Sequence, residues 1–349
     1  SPKTKNSDKK VSKLKVHFID VGQGDSILVE SNNKYMLIDA GESDQSKVVI
    51  NYLENIGVKK LDFIIATHPH SDHIGGLADV INHFNIGKII MPDAVHTSNT
   101  YENLLDTISD KGLKITKAVV GNEYTLGNAS FVILAPSNSD YDNLNNYSVA
   151  IKLQNGSNSF IFTGDAEEQS ENEMLKTGIN LDADVLKLGH HGSFTSNSEK
   201  FLDAVSPDIA VISAGEGNQY GHPHDEILQI LKDKNIKLYR TDKQGTIVLE
   251  SDGKKITANT KPYDLSDSDL KAEADKKTAD TKDNKTADKD KKDSTTVTDK
   301  SKKDSNNVKN GSSTVKEPDN SKNIIVHVTK TGSKYNSAGC KYLKTDIEV

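Results

Sequence analysis

Short apolar runs, each closed by glycine, asparagine or aspartate, alternate with amphipathic stretches from about Leu14 to Ala258. Runs of that length bounded by turn formers predict β-strands. They fall at residues 14–20, 26–31, 35–39, 61–66, 88–91, 130–134, 148–153, 160–163, 185–188, 209–212, 237–239 and 246–249. Between them apolar positions recur at helical spacing over residues 45–56, 74–84, 101–111, 167–176, 199–204 and 225–234. No repeat of fixed short period interrupts this alternation. Strands and helices in this proportion predict one α/β domain of two mixed sheets packed face to face, with helices outside.

The pattern then stops. From Asp264 to about Lys322 almost nothing is apolar, as in Lys282-Asp283-Asn284-Lys285-Thr286-Ala287-Asp288-Lys289. Such a segment cannot bury enough apolar surface to offset chain entropy, so a flexible linker is expected. Apolar order returns in Ile324-Ile325-Val326-His327-Val328. The expected organisation is a flexible segment 1–13, a folded domain 14–262, a charged low-complexity linker 263–322 and a small C-terminal module 323–349.

Composition agrees with that division. Of 349 residues, 34% are hydrophobic and 27% charged, too polar for a chain folded throughout. The net charge of −7 argues against a general basic surface for nucleic acid, though not against a local groove. The single cysteine, Cys340, excludes an internal disulfide framework. No run approaches the roughly 18 apolar residues of a membrane span. The chain starts at Ser1 and not Met, which reads as a trimmed start lacking any signal segment.

The chemistry concentrates in His68-Pro69-His70-Ser71-Asp72-His73. The strand before it ends at Thr67, Pro69 prevents a helix there, and Gly75-Gly76 lies in the first turn of the next helix. The run therefore sits on a loop at a strand's carboxyl end. His68 and His70, two apart in extended chain, point the same way and can chelate one ion. Asp72 and His73 fall where the chain turns into the helix and can face a second. Imidazole and carboxylate suit zinc, manganese or iron, and no thiolate is needed. Gly22-Gln23-Gly24 lacks the third glycine and following helix of a nucleotide-binding loop, and reads as a tight turn carrying Asp20 and Asp25 near the metal face. His17, His83 and His96 have no companions and are expected to be structural or solvated.

This histidine run resembles the motif of the metallo-β-lactamase superfamily, which implies a four-layer αββα sandwich and two divalent ions, zinc or manganese. Further residues match that family in order. Asp39, in Leu37-Ile38-Asp39-Ala40-Gly41, matches an aspartate that supports the histidine loop. Asp165, in Phe162-Thr163-Gly164-Asp165, matches a carboxylate that bridges the metals. His190-His191-Gly192-Ser193 matches the late histidine of the second metal, with His190 and His191 both candidates.

Four segments narrow the branch: residues 18–26, Asn145-Asn146-Tyr147-Ser148, the His190–Ser193 motif followed by Ser196, and Gly221-His222-Pro223-His224. Together they resemble the hydrolase domain of ComEC-type DNA-uptake proteins, and related cell-surface phosphodiesterases such as choline-binding phosphorylcholine esterase. Asn146 stands where many members place a third histidine for the first metal. That metal would then rest on His68, His70 and Asp165, completed by water or substrate oxygen. The resemblance implies a phosphodiesterase or nuclease in which the metals activate water, Asp72 ligates and orients the nucleophile, and His222 stabilises the leaving side. The implied substrate is a phosphodiester such as single-stranded DNA, and no protein partner is inferred. Two alternatives remain open: hydrolysis of a smaller ester such as phosphorylcholine, and a non-catalytic binding module with a degenerate metal site.

Residues 325–343 resemble a small module appended to secreted bacterial nucleases. Asn336 replaces its usual histidine and no second cysteine follows Cys340, so an incomplete β-structured stub is expected. A Lys/Asp/Thr-rich linker before such a module suggests a secreted or cell-surface location, which a cytoplasmic protein would also tolerate.

Overall fold

The strands of the first half hold apolar side chains on both faces. In the successive runs around Leu28 and Leu37, alternate residues turn toward different cores, while in Leu14–Phe18 only Leu14, Val16 and Phe18 enter a core. The structure is a computed structural model that describes residues 13–266 and the backbone of Ile347–Glu348. The chain opens with β1 (Leu14–Phe18), β2 (Ile27–Ser31) and β3 (Lys34–Ile38), then α1 (Ser46–Asn55) and β4 (Lys60–Ile65). There follow α2 (Ser71–Ile74), α3 (Leu77–His83), β5 (Asn85–Met91), α4 (Asn99–Asp110) and β6 (Ile115–Lys117). The second half begins with β7 (Glu123–Leu126), β8 (Ala129–Ala135), β9 (Ala150–Asn155) and β10 (Asn158–Phe162). It continues through α5 (Glu168–Lys176), β11 (Val185–Lys187), α6 (Glu199–Val205), β12 (Ile209–Ile212) and α7 (Asp225–Asp233). Then come β13 (Lys237–Arg240), α8 (Thr241–Gln244), β14 (Ile247–Ser251) and β15 (Ile256–Ala258), with β16 (Ile347–Glu348) beside β6.

Two mixed sheets result, ordered β15-β14-β1-β2-β3-β4-β5-β6-β16 and β13-β12-β11-β10-β9-β8-β7. β3 to β6 run parallel in the first, and β10 to β13 in the second. Three cores separate four layers. Phe18, Phe131, Phe160 and Phe162 lie between the sheets. Leu28, Leu37 and Leu61 pack with Val49, Leu77 and Leu104 of α1, α3 and α4 outside the first sheet. Leu186 and Ala210 pack with Met174, Phe201 and Leu228 of α5, α6 and α7 outside the second. This is the expected αββα sandwich. Its parallel strands bring their carboxyl ends, from both sheets, to the same edge of the molecule.

Several expected elements change. The helix anticipated over residues 74–84 is split into α2 and α3, and α2 already begins at Ser71. A Cβ on Gly76 would lie 2.4 Å from the Ala40 carbonyl oxygen, so close backbone contact excludes any side chain at the break. β6, β7, β15 and α8 were not anticipated; they are short and carry polar positions that are half-buried or exposed. The chain also stays packed past 262. The Tyr263 N–H donates to the Leu238 carbonyl, and Tyr263 and Leu265 contact the outer core. No helix among the described residues is long and apolar enough to cross a membrane. Apart from its first residues and Ile347–Glu348, the anticipated linker and C-terminal module, including Asn336 and Cys340, lie outside the described residues, as does most of segment 1–13.

Candidate metal centre

The site is built from five strand ends, those of β3, β4, β10, β11 and β12. Asp39 follows β3 in a left-handed conformation, φ 56°, with its N–H bonded to the Ile65 carbonyl at 2.9 Å. Its fully buried carboxylate accepts from the Thr67 N–H at 2.8 Å and the Thr67 hydroxyl at 2.6 Å, and lies 2.8 Å from His73 Nδ1. With Nδ1–H donated to Asp39, Nε2 of His73 presents its lone pair to the interior. That atom lies 3.1 Å from Asp165 Oδ2 and 3.8 Å from Asp72 Oδ2.

The remaining donors converge on the same carboxylate. Asp165 follows β10, and its N–H is held by the Ser148 hydroxyl at 3.0 Å. His191 turns Nδ1 to the Ser213 carbonyl at 2.9 Å, leaving Nε2 3.2 Å from Asp72 Oδ2 and 3.5 Å from Asp165 Oδ2. His68 Nε2 lies 3.8 Å from Asp165 Oδ2 and 3.0 Å from His70 Nδ1. His190 Nε2 approaches Asp165 Oδ2 to 3.9 Å, with Nδ1 turned to the Thr195 hydroxyl at 3.0 Å. His190 and His191 both adopt positive φ, 49° and 54°, a conformation costing non-glycine residues on the order of 1–3 kcal/mol each. Asn197 holds the strained turn, accepting from the Gly189 N–H at 2.8 Å and donating to the Gly189 and Ser193 carbonyls.

The donor set fits a cation. Ligand atoms of Asp72, His73, Asp165 and His191 all lie within 4.8 Å of one another. His73 Nε2 and Asp165 Oδ1 are buried without a hydrogen-bond partner, an arrangement that polar atoms avoid unless something else satisfies them. The electrostatics agree. Against the discharging effect of burial, Asp165, Asp25 and Asp72 hold the His191 imidazole up at about 10. Burial is likewise outweighed at Asp165, where His73, His191 and His68 keep the carboxyl well below its ordinary value. The field raises the His73 and His191 imidazoles while burial, with His73, lowers His68, and the protons held on the first two are ones a divalent ion would replace. Nitrogen and oxygen donors without sulfur suit zinc or manganese.

Other anticipated residues take different places. Asp20 folds back on its own turn, its Oδ1 accepting from the Gly22 N–H at 3.1 Å, and is not brought to the cluster. Asp25 is buried behind it. Its Oδ2 accepts from Lys187 Nζ at 2.8 Å, and its Oδ1 lies 3.4 Å from His191 Nδ1. Although burial opposes ionisation, Lys187 and His191 hold Asp25 at about 2. Gly24, φ 137°, lets this turn press on the histidine loop: a Cβ there would stand 2.2 Å from the Asp72 carbonyl oxygen. Ser193 bonds Thr195 within its own turn. Asn146 is buried with its Oδ1 committed to the backbone, accepting from the N–H groups of Glu167 and Ser170. His222 closes the rim, its ring 5.1 Å from His190 and 6.0 Å from His191. Burial, reinforced by His191, His190 and His224, pushes its pKa down to about 3. Lys187, fully buried, was not anticipated. The available signal was a lone lysine inside the apolar run 185–188.

Residues 19–216 match the family model of the metallo-beta-lactamase superfamily. The chain is 34% identical over 275 residues to ComE operon protein 3 of Bacillus subtilis, covering 73% of this chain and 35% of that protein. It is 33% identical to competence protein ComA of Neisseria gonorrhoeae, covering 65% of this chain and 31% of the other. Recombination protein 2 of Haemophilus influenzae is similar at 32% identity over 62% of this chain and 26% of its own length. The chain thus spans about a third of these relatives or less. Among solved structures, the metallo-beta-lactamase fold protein YhfI from Bacillus subtilis aligns with a TM-score of 0.50 and 15% identity. That alignment covers 69% of this chain and 100% of YhfI, a likeness of fold.

Proposed function

The chain belongs to the metallo-β-lactamase superfamily, and on that footing we propose that it is a two-metal phosphodiesterase whose substrate is single-stranded DNA. The carrying observation is the convergence of His68, His73, His190 and His191 on one oxygen of Asp165, beside polar atoms with no other partner. In this reading His68, His70 and Asp165 would hold one ion, and Asp72, His73, His191 and Asp165 would hold the other. Ions bound there would polarise a phosphoryl oxygen and lower the pKa of bound water from about 15.7 towards about 7.

The residues have distinct tasks. His191, and not His190, belongs to the second set, because its Nε2 faces both Asp72 and Asp165 and its ring is buried. His190, as near to Asp165 as His68 is, stands where it can complete the first set in place of residue 146. Asp72 orients the attacking water. Its side chain is the most exposed of the four clustered groups, and its carboxyl stays ionised, the pull of burial being outweighed by His73 and His191. His222, neutral at physiological pH, donates one N–H to the leaving oxygen without adding charge.

The names of two relatives, a competence protein and a recombination protein, support DNA as the phosphodiester. A secreted or cell-surface location and a separate module at 323–349 belong to the same proposal; immunoblotting of fractionated cells tests the location. The activity is tested with chelator-stripped protein reconstituted with manganese or zinc, then offered labelled single-stranded DNA, bis-p-nitrophenyl phosphate and p-nitrophenyl phosphorylcholine. Cleavage of the first two is expected. Cleavage of the choline ester alone would replace the substrate, and no cleavage at all would leave a binding module.

A further inference from the structure

Exposed large hydrophobic side chains are few. Among the described residues they are Val48, Ile56, Val95, Phe194 and Tyr220. The two aromatic ones, 63% and 57% exposed, both sit at the mouth of the candidate metal centre. They are joined to it by a continuous series of ring contacts. Tyr220 stacks on His222 at 5.7 Å with 23° between the planes, and His222 meets His190 at 5.1 Å. In the other direction His222 meets His224 edge-on at 4.9 Å, and His224 meets Phe194 at 4.8 Å.

Both rings are held in place. Asn218 clamps the loop that carries Tyr220, accepting from the N–H groups of Tyr220 and His222 and donating to the carbonyls of Gly215 and His222. The Phe194 N–H is bonded to His224 Nδ1 at 3.1 Å. An aromatic face kept in water and fixed in position offers its stacking energy to a ligand without an ordering cost. A quaternary ammonium is recognised by rings that enclose it. Here the two exposed rings are linked only through two imidazoles, along a track and not around a cage. Flat exposed rings beside a phosphodiester site offer faces on which unpaired bases of a polynucleotide can stack.

We propose that Tyr220 and Phe194 are stacking platforms for unpaired bases of a strand whose phosphodiester is held at the metal centre. The proposal rests on the phosphodiesterase reading for its placement and makes the preferred substrate single-stranded. It is tested by binding, so that it fails separately from the catalytic assignment. Fluorescence anisotropy of a labelled, cleavage-resistant phosphorothioate oligothymidylate is followed with the manganese-loaded full chain, beside an abasic strand with the same backbone. The unsubstituted protein is expected to bind the oligothymidylate about tenfold or more tightly than the abasic strand. Tyr220→Ala and Phe194→Ala should each weaken oligothymidylate binding by about tenfold and leave the abasic strand unaffected. Tyr220→Phe and Phe194→Tyr, which keep the rings, should retain binding. Equal affinity for the abasic strand, binding that survives both alanines, or no binding by the unsubstituted protein would each overturn the proposal. So would alanine effects that the ring-preserving variants reproduce.

Discussion

Lys187 and Asp25 form an ion pair with both side chains out of solvent, one shell behind the His191 imidazole. Removing one partner of such a pair leaves an uncompensated charge in a poor solvent and costs about 3–5 kcal/mol. Lys187→Met should therefore lower the stability measured by urea unfolding by that amount. Adding Asp25→Asn, which neutralises the orphaned charge, should recover part of the loss; strictly additive losses would mean the two residues do not interact. A second buried group, His17, titrates far from the metal centre. It is bonded through Nδ1 to the Tyr52 hydroxyl at 2.8 Å, and burial, aided by Lys15, lowers its pKa to about 4. Unfolded, it takes a proton near 6.5; folded, it resists until about 4. Its contribution is complete above 6.5 and is lost as pH falls toward 4, by about 3 kcal/mol. His17→Gln cannot be protonated, so its unfolding free energy should fall less steeply than that of the unsubstituted protein between pH 7 and 4. Identical slopes would refute the burial argument.

At the level of elements, Asn146 acts on a helix. Glu167, at the N-cap of α5, makes no side-chain capping bond, and the Asn146 amide oxygen satisfies the N–H groups of Glu167 and Ser170 instead. Asn146→His is thus expected to lose about 1 kcal/mol, visible as a lower melting temperature, and to add no metal affinity. A gain in bound metal would place residue 146 in the site. The family resemblance marked this residue as standing in for a third histidine ligand, with the first metal left to His68, His70 and Asp165; only packing shows what its oxygen accepts. The same limit applies elsewhere. The strand 209–212 was legible to the residue because its four positions are all apolar and buried. β7, Glu123–Leu126, was not, since an edge strand with exposed polar positions has no apolar run to betray it. The helix expected over 74–84 was half right, because pattern carries no information about the Ala40 carbonyl that forbids a side chain at Gly76.

In the whole molecule, two parallel β-regions end at one edge, and this topology gathers residues far apart in sequence. Asp39, the loop 68–73, Asp165 and the turn at His190–His191 come from both sheets, and sequence order alone could propose their meeting only through a family resemblance. Which imidazole of the late pair would ligate was open in the sequence. In space both turn Nε2 toward Asp165, with the Ser213 carbonyl orienting His191, the Thr195 hydroxyl orienting His190 and Asn197 clamping the turn. Hydrolysis at this edge depends on these groups holding ions. Counting metals by inductively coupled plasma mass spectrometry, after dialysis against manganese or zinc, tests that most directly. Two ions per chain are predicted for the unsubstituted protein, falling to one or none in Asp165→Ala. A chain that binds no ions, or a variant that keeps both, would contradict it.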